Sequence, residues 1–201
     1  MIRYLPLAGP LPPALPYGWD YLFAQDGVGL RARRTGLEVC MPLSCGAIRL
    51  QGLRPLRPYF SLEYPRVPAT CLQAIVAHSL AATDHDGRPL EALFYLKYSL
   101  GAWQLRAPAT SATSTSVIAV DRHDSDADVE LHSHHAMTPR FSLRDDEEEQ
   151  GFRIYAVIGH LFTTPALHVR VGCFGHFWSI PAASVFEMPV DIIDYLEIQN
   201  G

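Results

Sequence analysis

Val129-Glu130-Leu131-His132-Ser133-His134-His135 is followed, after a short gap, by Ser142-Leu143-Arg144-Asp145. The first stretch is apolar at alternate positions and reads as a strand over 129–134. Residues two apart on a strand share a face, roughly 6.5–7 Å apart along the chain. His132 and His134 therefore present two imidazoles on one side and can converge on one cation. Ser142 with Asp145 three residues on resembles a helix N-cap with an acidic first turn. Asp145 can thus bring a carboxylate to the same point from the next element. Two His and one acid leave a fourth position open on a tetrahedral zinc, the pattern of a catalytic rather than a structural site.

Outward from this stretch, the chain divides in texture near Pro55 and Pro58. Residues 1–58 suggest a small β-rich unit. Pro6, Pro10, Pro12, Pro13 and Pro16 make its start extended and irregular. Gly27–Arg33 and Leu37–Met41 then form a hairpin across Thr35-Gly36, with a further short strand at 47–50. Residues 59–201 form the second unit. Leu72, Ile75, Val76, Ser79 and Leu80 recur at helical spacing after Pro68 and Thr70. Strands are expected over 91–98, 103–106 and 117–120, with 109–116 a loop or an edge strand. Beyond Asp145, strands follow at 153–159, 166–173 and 177–180, and 190–198 is a strand or a helix. One helix before many strands points to an α+β fold.

Composition narrows the function classes. With 48% hydrophobic and 18% charged residues, the chain is an ordinary globular protein. A formal net charge of −5 argues against a general nucleic-acid surface, which needs clustered Lys and Arg. No apolar run approaches the ~18–20 residues of a membrane span. Met1–Pro6 carries one positive charge and is broken by proline, unlike a secretion signal, so a cytoplasmic protein is expected. Cys40, Cys45, Cys71 and Cys173 contain no CxxC and read as reduced, mostly buried thiols.

The spacing His132-x-His134, seven residues, Ser142-x-x-Asp145 resembles the signature of the JAMM (also MPN or JAB) metalloprotease family. That family carries an upstream glutamate at the start of a strand after its first helix. Glu91 occupies this place, 41 residues before His132 (132 − 91). The resemblance covers roughly residues 60–186. This chain departs from the family at His135, where proline is usual, and at Phe94, where glycine is frequent. The run Gly151–Gly159, with the N-terminal extension, is similar to the A proteins of the PRTRC cassette, a plasmid-borne set with ParB- and ThiF-related members.

The resemblance implies an α-β-α sandwich, cytidine-deaminase-like in architecture. It implies Zn²⁺ held by His132, His134 and Asp145, with Glu91 as general base and Ser142 assisting at the oxyanion. The implied substrate is the C-terminal tail of a ubiquitin-like protein or its conjugates, with the ThiF-related activating enzyme as a possible partner. The alternative is a non-catalytic scaffold of the same fold that binds cassette partners. A hydrolase of small amides or sulfur-carrier conjugates is a third reading.

Each residue also has a plainer role. His132 and His134 suit a surface strand, Asp145 a helix start, Ser142 a cap and Glu91 a strand edge. Glu63 and Glu130 are the rivals of Glu91 as base. Glu130 lies on the face of His132 and His134 and suits a position behind the ligands. His135 faces the other way in a regular strand and is expected behind the ligands or in solvent. Asp124–Asp128 begins like a calcium loop, but Val129 and His135 stand where Gly and Glu are needed, leaving a solvated acidic loop. His160, His168 and His176 lack ligand spacing and read as structural.

Overall fold

The computed structural model describes residues 1–46, 49–108, 110–112, 117–119 and 126–196. They form a mixed α+β protein of two units, Met1–Pro65 and Arg66–Gly201. The first unit is one five-stranded sheet: β1 (Ile2–Pro6), β2 (Trp19–Ala24), β3 (Gly27–Arg34), β4 (Leu37–Cys45) and β5 (Tyr59–Leu62), in that order. β2 to β5 run antiparallel, and β1 lies parallel to β2.

Three of these strands, β1, β2 and β5, are not visible in the hydrophobic pattern. β1 forms despite the prolines after it because Arg3, opposite Asp20 in register, reaches that carboxylate at 2.6 Å. Asp20 is fully buried and is also gripped by Arg31 at 2.6 Å. The division falls after Pro65 rather than Pro58, since β5 pairs with Leu37–Cys40 of β4. Of the strand expected at 47–50, Ala47 and Ile48 lie outside the described residues, and Arg49 and Leu50 are not in a strand.

The second unit opens with α1 (Ala69–Ala81), which buries Leu72, Ile75 and Ser79, a narrower stripe than expected, with Leu80 exposed. Its main sheet contains β6 (Leu93–Ser99), β7 (Ala102–Arg106), β10 (Val129–Ser133), β11 (Arg153–Gly159), β12 (Ala166–Cys173) and β13 (His176–Ile180). Across the sheet the order is β13-β12-β11-β10-β6-β7, and β14 (Ile193–Asp194) pairs with β12. A separate pair joins β8 (Thr110–Ala112) to β9 (Val117–Ala119). Of residues 109–116, read as a loop or an edge strand, Thr110–Ala112 are strand; Ala109 and residues 113–116 lie outside the described residues. Asp124 and Ser125 also lie outside them. Asp128 is buried, not solvated, and takes the Tyr98 N–H at 2.9 Å.

β10 sits in the middle of this sheet, antiparallel to β6 and parallel to β11. Its core side chains Val129 and Leu131 are fully buried, as are Ile154, Val157, Val169 and Val171 beside them. The chain then turns and enters α2 (Leu143–Glu148), a helix of six residues. Among the described residues no helix is long and apolar enough to cross a membrane.

Candidate metal centre

The sheet aims His132 and His134 at one point. β10 is hydrogen-bonded on both edges and ends at Ser133, one residue before the strand expected to His134. The His134 N–H still donates to the Ile158 carbonyl at 2.7 Å and so extends the pleat that puts the two imidazoles on one face. Their Nε2 atoms lie 3.2 Å apart. The Nδ1–H of His134 donates to the Thr138 carbonyl at 3.1 Å. A carbonyl only accepts, so neutral His134 keeps a bare Nε2 lone pair facing the site. His132 packs its ring against the edge of Phe141 and is buried. Burial pushes its imidazole down to about 4, against the pull of the Asp145 carboxylate. His132 is thus ready as a neutral donor with no proton to shed.

Asp145 arrives from α2. Its Oδ2 accepts from the Ser142 N–H at 2.5 Å and the Ser142 hydroxyl at 2.7 Å, and Ser142 Oγ accepts the Asp145 N–H in return. This capping box occupies one carboxylate oxygen. The other, Oδ1, lies 3.6 Å from His132 Nε2. The ligand atoms of His132, His134 and Asp145 all fall within 4.8 Å of one another. Around zinc with bonds of about 2.0–2.1 Å, a tetrahedral edge is about 3.3 Å. The spacings 3.2 and 3.6 Å fit that edge.

Glu91 precedes β6 rather than lying in it as expected. It is held by Ser133, the residue between the histidines. The Ala92 N–H donates to Ser133 Oγ at 2.9 Å, and the Ser133 N–H donates to the Ala92 carbonyl at 2.9 Å. Ser133 is fully buried, so this bracket is rigid. It places Glu91 Oε1 3.8 Å from His134 Nε2, with only 4% of the residue exposed. Burial, and then the nearby Asp145 charge, push Glu91 up to about 7. A carboxyl poised there exchanges protons near neutral pH, although a bound cation would lower it again.

The rival glutamates are engaged elsewhere. Glu130 shares the cavity wall but takes the Arg153 guanidinium at 3.0 Å. Glu63 belongs to the first unit and faces Arg33 at 3.2 Å. The cavity itself measures about 250 Å³, with Leu93, Met137, Arg144 and Glu148 completing its wall.

Of the two positions expected for His135, solvent is excluded. It is buried, and its Nε2–H donates to the Ser79 carbonyl near the end of α1 at 3.1 Å. Its backbone is left-handed, with φ 41°. Proline is locked near −65° and cannot take this turn, so the chain leaves β10 differently from one with proline at this position. Gly159 lets the returning loop close: a Cβ there would meet the Met137 carbonyl oxygen at 2.2 Å.

Arg170 is the residue that sequence reasoning missed. Its guanidinium lies between the rings of Phe141 and Phe177, 3.7 Å from each centroid. It binds Asp146 of α2, the helix that carries Asp145, at 2.6 Å and Glu149, the residue that ends that helix, at 2.6 Å. A planar, delocalised cation alone satisfies stacking and a two-acid fork together. The available sequence signal was the acidic run Asp145–Glu149, which requires a cation when one side of it is buried. His168 is structural: its Nδ1–H donates to the Pro139 carbonyl at 3.1 Å, and its Nε2 pairs with the Ser179 hydroxyl at 2.8 Å. The four cysteines are free.

No protein-family model matches the chain, and no curated protein matches it.

Proposed function

We propose that the second unit is a zinc-dependent peptidase or isopeptidase of the JAMM type, built as an α-β-α sandwich, that acts at the C-terminal tail of a ubiquitin-like protein. The observation that carries this reading is a convergence of donors: two imidazole Nε2 atoms 3.2 Å apart, Asp145 Oδ1 at 3.6 Å, and buried Glu91 at 3.8 Å. His132, His134 and Asp145 would hold Zn²⁺, which supplies Lewis acidity and a bound water of lowered pKa.

Glu91 then works at the proton. As the water oxygen adds to the scissile carbonyl carbon, Glu91 accepts the released proton at its carboxylate. As the C–N bond breaks, it delivers that proton to the leaving amine. Ser133 keeps Glu91 in place through Ala92. The Ser142 hydroxyl, which donates to Asp145 Oδ2, turns to donate to the developing oxyanion instead. A cavity of about 250 Å³ suits a thin stretch of chain better than a bulky side chain. The resemblance to PRTRC-cassette A proteins supports a ubiquitin-like substrate and a ThiF-related partner.

Glu91→Gln keeps shape and hydrogen bonding but cannot carry a proton at neutral pH. It should retain zinc while single-turnover cleavage of a ubiquitin-like fusion falls about 10²- to 10⁴-fold. Equal cleavage by variant and wild type removes Glu91 from the mechanism. Full zinc occupancy with no cleavage by wild type favours the scaffold.

A further inference from the structure

The first unit contains a larger cavity than the metal centre does, about 620 Å³. This size lies within the ~300–1,000 Å³ of small-molecule pockets. Leu7, Leu11, Leu22 and Leu56 give it apolar walls. Two straps line it, residues 7–11 and 54–57, and both are fastened. The Arg54 N–H donates to the Leu7 carbonyl, and the Gln25 N–H to the Arg54 carbonyl, each at 2.8 Å. The Leu7 N–H donates to Phe23 and the Leu56 N–H to Asp26 Oδ1, also at 2.8 Å. The walls are therefore tied to the sheet and to each other, and the space between them persists.

Its charge is one-sided. Arg31, Arg54 and Arg57 line it, and no carboxylate does. Asp20, behind Arg31, is shared with Arg3, so two guanidiniums face one acid there. Glu38 takes the hydroxyl of the lining residue Tyr59, but Arg33 stands 3.7 Å from that carboxylate. Arg54 and Arg57 are exposed at the mouth, and among the described residues their guanidinium groups make no hydrogen bond or ion pair. In a chain of net charge −5, this is a local excess of cations around an apolar space. Cys40, on the wall, is a buried thiol pushed up to about 11 by burial, so the wall offers no nucleophile.

We infer that this cavity binds a small single-chain amphiphile whose apolar body lies between the straps and whose terminal carboxylate meets Arg54 and Arg57. Burial of the chain supplies affinity, and two charge-assisted contacts select the end group. The inference stands independently of the metal centre.

The test uses the full chain and dansyl-undecanoate as a fluorescent probe. Saturable binding at one site is expected, with displacement by decanoate, weaker displacement by decanol and none by decyltrimethylammonium. Arg54→Gln with Arg57→Gln removes two exposed charges and should keep the wild-type melting temperature. Its affinity for decanoate should fall about ten- to hundredfold, the loss expected for contacts to a charged group. Leu11→Trp fills the space without touching charge and should block the probe outright. Absent saturable binding, equal displacement by decanol and decanoate, or unchanged affinity in both variants would overturn the proposal.

Discussion

β10 and α2 deliver candidate ligands to the same point by opposite means. β10 is a central strand with hydrogen bonds on both edges and buried neighbours, and the sheet places His132 within it and His134 directly after it, through the Ile158 carbonyl. α2 has six residues and buries none of them. A helix this short is unstable alone. It persists here because a capping box closes its start and Arg170 grips Asp146 and Glu149. The histidines are thus preorganised by packing, whereas Asp145 is preorganised by polar contacts. Substitutions on the two sides should fail in different ways.

The largest effect belongs to the strand side. His132→Ala with His134→Ala removes both imidazoles and leaves one carboxylate, too little to hold zinc tightly. Zinc at 1,000 times its dissociation constant stabilises a folded protein by about 4 kcal/mol. Wild type should show that rise in melting experiments, and the double variant should show none. The same rise in both would place the metal elsewhere.

The next effect tests the helix side. Arg170→Met leaves the buried Glu149 without its cation and frees Asp146. Breaking a buried pair in this way destabilises by about 3–5 kcal/mol. Loss of a partner behind the ligands also weakens metal binding by about 10–100-fold. Arg170→Lys keeps charge but not the fork or the stacking, and should recover only part of the affinity. If zinc affinity stays unchanged while stability drops, the cap alone holds Asp145.

Glu91 marks where the two sides meet, and its ionisation opposes folding. Its carboxyl rises from an unfolded value near 4.5 to about 7 through burial. The folded state therefore binds the proton more tightly, and the associated stability is complete below the unfolded value. It is lost as pH rises through the folded one. In metal-free protein, Glu91→Gln should be more stable than wild type at pH 8 by on the order of 2–3 kcal/mol. The difference should vanish near pH 4, as urea melts across that range would show. A constant difference would mean that the gain comes from packing.

These contrasts also explain what the sequence reveals. His132 and His134 are legible because a period of two is enough to align them, and the Ser142–Asp145 box because its chemistry is local. The hairpin at Thr35-Gly36 and the helix over 69–81 are legible for the same reason. β1 and β2 are not, because their pairing depends on Asp20 meeting Arg3 and Arg31 across the sheet. Arg170 lies 25 residues from Asp145 (170 − 145) and acts only through the folded sheet. The placement of Glu91 depends on Ser133, on another strand. The burial of His135 is not legible either, because it goes with a left-handed turn just past β10 and a bond to the Ser79 carbonyl of α1, 56 residues away.

The smallest effect distinguishes the two devices that hold α2. Ser142→Ala removes the acceptor for the Asp145 N–H and the hydroxyl that donates to Oδ2. The Ser142 N–H still reaches Oδ2, and Arg170 still grips the other two acids. Loss of such a cap costs about 1 kcal/mol. Zinc affinity should therefore fall less than in Arg170→Met, and Ser142→Thr, which keeps a hydroxyl, should restore the stability. Isothermal titration of zinc into the three variants, with urea melts on the same samples, orders the contributions. If Ser142→Ala weakens zinc binding more than Arg170→Met does, the cap is the dominant device and the sheet-borne guanidinium only stabilises the fold around it.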